Sequence, residues 1–70
     1  MKFYEAKIGM LISVTGKHSS KFPNGAKVIK KDNTDSSIRI EDRKTGRKMW
    51  FFDNGVKYSL KDIHHLSNCH

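Results

Sequence analysis

Cysteine is nearly absent from this 70-residue chain: Cys69 is the single one, so no internal disulfide can form and no oxidising compartment is implied. Proline is as scarce, at one residue, and two alanines, three leucines and two glutamates are too few to favour long helices. No apolar run reaches the length of a membrane span or a signal peptide, and the opening "MKFYEAKIGM" carries charges throughout. A cytoplasmic protein is therefore expected. What the chain does have is isoleucine, valine, threonine and aromatics, the residues that suit a pleated sheet. With 36% hydrophobic residues over so short a length, one small domain with little apolar material to spare is expected.

Negative charge is also in short supply. Fourteen Lys and Arg stand against seven Asp and Glu, a formal net charge of +7. Such an excess repels itself and is usually offset by an anionic partner, nucleic acid first and an acidic protein surface second. Nothing in the sequence points to a membrane or a small-molecule substrate. The excess lies upstream: Lys2, Lys7, Lys17, Lys21, Lys27, Lys30 and Lys31 face only Glu5, while residues 32–70 are almost balanced.

Turn signals recur at intervals of roughly 8 to 11 residues: Thr15-Gly16, Pro23-Asn24-Gly25, Asp32-Asn33-Thr34-Asp35, Thr45-Gly46 and Asp53-Asn54-Gly55. That spacing predicts short antiparallel strands. "GMLISVTG" places Met10, Ile12 and Val14 on one face; "AKVIKK" sets Ala26 and Val28 opposite Lys27 and Ile29; "SSIRIED" sets Ile38 and Ile40 inward against Arg39 and Glu41. In "KMWFF", Met49 and Phe51 share one face and Trp50 and Phe52 the other. A strand apolar on both faces is expected at the sheet centre, or capped by a terminus such as "MKFYEAKI". Ser59 with Asp62 three residues on resembles a helix start, predicting a single 3₁₀ turn, then a brief fifth strand from Ile63 to Leu66.

The fold class expected is all-β: a five-stranded antiparallel SH3-like small barrel with one short helical turn near the C-terminus, over residues 1–66, and a tail at 67–70. A glycine-bounded strand, a long loop carrying an aromatic and "NG", an alternating strand and a basic hairpin leading into "MWFF" together resemble the KOW and Tudor class of SH3-like modules across residues 8–66. Short, lone basic barrels of this kind are also similar to small phage-encoded proteins. The resemblance implies binding to RNA, DNA or a protein tail, and no catalysis.

Two basic groups are candidates for phosphate contacts. Lys17, Lys21, Lys27, Lys30 and Lys31 form the upstream set; the alternative for them is a lysine-rich edge that prevents sheet-to-sheet association. Arg39, Arg43, Lys44, Arg47 and Lys48 extend it if the second and third strands are neighbours. Arginine can fork onto phosphate or stack on a base, although Glu41 and Asp42 can pair with these cations across the hairpin. Among aromatics, Trp50 is expected in the core of its two-faced strand, whereas Tyr4 and Phe22 are expected to be exposed. Phe22, between Lys21 and Pro23 in the long loop, is the aromatic expected to touch a nucleic acid.

Catalytic and metal chemistry find less support. "GKHSSKF" sets His18 beside two serines and is similar to a stretch of HicA-type ribonuclease toxins, but there is no preceding amphipathic helix and no carboxylate to orient the histidine, which is expected to be solvated. His64, His65, Cys69 and His70 are of ligand type, but adjacent histidines on a strand point to opposite faces and no second ligand cluster precedes them. No enzyme activity, metal or cofactor is expected. The leading expectation is a nucleic-acid-binding protein acting through phosphates with little sequence specificity; the alternative is an interaction module or small effector docking on an acidic protein.

Overall fold

Alternation of apolar and polar side chains turns into strands at each place where the sequence shows it. The computed structural model describes residues 1–66; the expected tail, with Cys69 and His70, lies outside them. Five strands form: β1 (Leu11–Val14), β2 (Ala26–Asp32), β3 (Ser37–Asp42), β4 (Lys48–Phe52) and β5 (Ile63–His65). They make one antiparallel sheet in the order β4-β3-β2-β1-β5. This is the expected all-β, small-barrel-like arrangement, a β2-β3-β4 meander with the last strand returning to the first; the sheet is not closed into a full barrel. The late 3₁₀ turn, Leu60–Asp62, sits where expected, and the Ser59 hydroxyl caps it by accepting from the Lys61 N–H at 3.1 Å.

The core is one cluster on the inner face of the sheet: Ile12, Val14, Ala26, Val28, Ile38, Ile40, Phe51, Leu60 and Ile63 are all buried, with Ala6 and Phe22 closing it. For a chain with so few large apolar residues, each of these burials carries a sizeable share of the stability.

Two further 3₁₀ segments were not legible. Phe3–Glu5 lies in the N-terminal segment, and Gly16–Lys21 converts most of the expected long loop into a helix of six residues. This loop helix packs on the core side of the sheet. His18 stacks on Tyr58 at 4.6 Å between ring centroids, meets Phe51 edge-on at 5.9 Å, and its Nε2 lies 3.1 Å from the Lys57 carbonyl. His18 is thus a buried packing residue and not the solvated one expected.

The hydrogen bonds of the N-terminal segment go to the late turn, β5 and β2: the Met1 amine donates to the Leu60 and Ile63 carbonyls, each at 3.0 Å, and the Gly9 N–H donates to the Val28 carbonyl at 2.7 Å. β4 is an edge strand and not a central one. Part of that edge is engaged by the returning chain, through the Phe52 N–H donating to the Tyr58 carbonyl at 2.8 Å. No helix among the described residues is long and apolar enough to cross a membrane.

Candidate nucleic-acid interface

The register of the β2-β3-β4 meander decides which side chains share the outer face. Counting from the hairpin, Glu41 opposes Lys48, Arg39 opposes Trp50 and Ser37 opposes Phe52; on the other side Lys27 opposes Glu41, Lys30 opposes Arg39 and Asp32 opposes Ser37. Three cross-strand rows result: Lys27–Glu41–Lys48, then Lys30–Arg39–Trp50, then Asp32–Ser37–Phe52. Charge therefore grades along the strands, from positive at the β3-β4 hairpin to negative at the β2-β3 turn.

A β-bulge makes the middle row possible. The pairing of β2 with β3 shifts register between Val28 and Lys30, leaving Ile29 as the extra residue. A bulge reverses the alternation beyond it. Lys30 consequently faces outward with Arg39, and Lys31 turns to the other side, where its Nζ donates to the Ala6 carbonyl at 2.7 Å and lies 4.4 Å from the centre of the Phe3 ring. Lys31 fastens the N-terminal segment and does not belong to the outer surface.

Arg39 and Trp50 are half-buried, and the guanidinium lies 5.8 Å from the indole centre, within cation–π range. The Arg39 Nε is enclosed without a hydrogen-bond partner among the described residues. Trp50 is not part of the core cluster, so the expectation of a core tryptophan is corrected. The cause is register: with Ile38 and Ile40 inward, their partners Phe51 and Met49 are inward too, and Trp50 must face out. The Thr45-Gly46 turn signal alone does not give this pairing, because the loop takes in residues 43–46 and the Asp42 N–H donates to the Arg47 carbonyl.

At the hairpin, Asp42 does not pair with the neighbouring cations. It is buried, and its Oδ1 accepts from the Lys44 and Thr45 N–H groups at 2.7 and 2.8 Å, while Gly46 takes the left-handed conformation (φ +80°) that closes the turn. These backbone donors, Thr45 first and Lys44 second, hold the Asp42 carboxyl below the ordinary aspartate value. Glu41 does reach Lys48, at 3.7 Å, the one ion pair among the described residues. A partly exposed pair of this kind contributes little to stability. Arg43, Lys44 and Arg47 are exposed on the tip, and a groove of about 520 Å³ runs beside it, lined by Leu11, Lys27, Glu41, Arg43, Lys44 and Thr45.

Of the residues expected to form a binding surface, the fold thus brings together Lys27, Lys30, Arg39 and Lys48, with Arg43, Lys44 and Arg47 at their end. Lys17 and Lys21 are exposed on the loop helix, on the core side of the sheet, and stand apart. Phe22 is corrected: it is 2% exposed and belongs to the core, because the loop folds back as a helix and delivers it there. Tyr4 is 76% exposed, as expected, and lies on the N-terminal segment in a groove with Asp53 and Lys61. Trp50 and Phe52, counted in the sequence only toward docking on a protein, share this outer face with the basic rows.

His64 places its Nε2 3.0 Å from the Thr15 hydroxyl, and among the described residues no group of three His, Cys, Asp or Glu side chains could hold a metal ion. No protein-family model, curated protein or solved structure matches the chain.

Proposed function

We propose that this protein is a nucleic-acid-binding module whose contact surface is the outer face of β2, β3 and β4 together with the β3-β4 hairpin tip. The observation that carries the reading is the direct opposition of Lys30 and Arg39 in the sheet. Like charges facing each other across a ladder destabilise it. Here neither makes an ion pair among the described residues, and Lys30 acts on the Asp32 carboxyl only through its charge. An anion seated between them removes the repulsion, and a chain of phosphates can continue over Lys27 and Lys48 to Arg43, Lys44 and Arg47. Phosphate contacts made by lysine and arginine fix position without reading sequence, so low sequence specificity goes with this surface. The KOW and Tudor resemblance points to the same class of activity, and no residue is assigned a catalytic role.

Fluorescence anisotropy against single-stranded RNA, single-stranded DNA and duplex DNA tests the reading. Affinity is expected to fall steeply between about 50 and 200 mM salt, since each neutralised phosphate releases counterions. Absence of binding at the lower salt, or binding equally tight at both, overturns it. A pull-down with and without nuclease separates it from docking on an acidic protein, whose capture survives nuclease.

A further inference from the structure

Phosphate contacts leave one part of the outer face unused. Next to the Lys30–Arg39–Trp50 row lies a notch of about 160 Å³ lined by Trp50, Phe52, Ser37, Asp32 and Asp35. Its walls are chemically divided. Trp50 and Phe52, two residues apart on an edge strand, turn their rings to the same side and are both partly exposed. Asp32 and Asp35 each use Oδ1 within the β2-β3 turn, toward Thr34 and Ser37, and take no donor on Oδ2 from the described residues.

Carboxylates repel a phosphate but accept from an amino group, while an indole beside a guanidinium is a stacking surface for a base. The charge grade then sets an orientation: backbone toward Lys30 and Arg39, base toward the acids. Resting on the nucleic-acid reading above, we propose that this notch holds one base of a single strand, stacked against Trp50 and Phe52, and selects bases that carry an exocyclic amino group. Duplex does not fit, because its bases keep their faces inside the stack. Cytosine presents its 4-amino group to a carboxylate, whereas uracil presents an oxygen at that position and is repelled.

Oligocytidine and oligouridine of equal length, in ribo and deoxy forms, and a C·G duplex are titrated against the full chain at one low salt concentration. Both anisotropy and the emission of Trp50, the single tryptophan, are read. Oligocytidine is expected to quench Trp50 and to bind roughly tenfold more tightly than oligouridine. W50L is expected to lose about tenfold on oligocytidine and nothing on duplex. D35N is expected to narrow the cytosine preference even though it adds to the positive charge. Equal affinity for the two oligomers, or unquenched emission, overturns the base site, and neither observation requires a variant to fold. Tight, salt-dependent duplex binding with no single-strand preference overturns the base site while leaving the phosphate surface intact. No binding to any of these probes removes both. The ribo and deoxy arms identify which sugar the strand carries.

Discussion

Lys30 and Arg39 are direct cross-strand partners of like charge, so this pair works against the fold that presents it. K30E turns the repulsion into attraction. It is expected to stabilise the free protein by about 0.2–1 kcal/mol, seen as a melting temperature higher by a few degrees, and at the same time to weaken nucleic-acid binding. A variant that loses both stability and binding would show that Lys30 serves the fold and not a ligand. Lys31, the next residue, behaves oppositely: its bond to the Ala6 carbonyl and its seat over Phe3 make it structural, and K31Q is expected to loosen the N-terminal segment without changing the salt dependence of binding.

Among elements, the loop helix at Gly16–Lys21 and the β3-β4 hairpin show how far sequence could be read. The alternation of Ile38, Arg39, Ile40 and Glu41 identified β3, and Ser59 marked the late turn, because in both cases the deciding contacts are local or periodic. Phe22 was misread because the loop helix that precedes it is held on the sheet by long-range contacts, His18 against Tyr58 and Phe51. F22A should therefore cost about 3–5 kcal/mol, comparable with the total stability of a domain this size; circular dichroism should show a largely unfolded chain. If F22A melts like the parent but binds nucleic acid less well, Phe22 is a contact residue after all. In the hairpin, Asp42 was read as a competitor for the basic tip; its burial makes it the element that shapes the tip. D42A is expected to lower the melting temperature by several degrees and to spread the exchange rates of the 43–46 amides.

At the scale of the molecule, two carboxyls among the described residues are held below the ordinary aspartate value of 3.8: Asp32, through the Thr34 hydroxyl and N–H, and Asp42, through the Thr45 and Lys44 N–H groups. Both groups bind protons more readily when unfolded than when folded. Their contribution is accordingly complete above that value and is lost as pH falls through the folded values. Protonation of the acids also deepens the excess of positive charge on a chain already at +7. Thermal melts between about pH 5 and pH 2 should fall steeply, and less steeply in D42N. The sign of the net charge was legible from composition, but its distribution was not. The upstream lysines that dominate the count divide among the N-terminal segment, the loop helix and two faces of β2, and only Lys27 and Lys30 reach the outer rows. The neighbours on β3 and β4 complete the surface.

That division depends on Ile29, the residue the β2-β3 ladder skips. Pairing Ile29 with Arg39 in an unbroken ladder would leave every charge in the chain untouched, yet would turn Lys30 inward opposite Ile38 and Lys31 outward opposite Ser37. The surface is thus encoded partly as a phase: its address depends on the count of residues before it as much as on their kind. A homologue or designed variant whose β2 pairs without the bulge could match this chain in charge and hydrophobicity and still carry a different face.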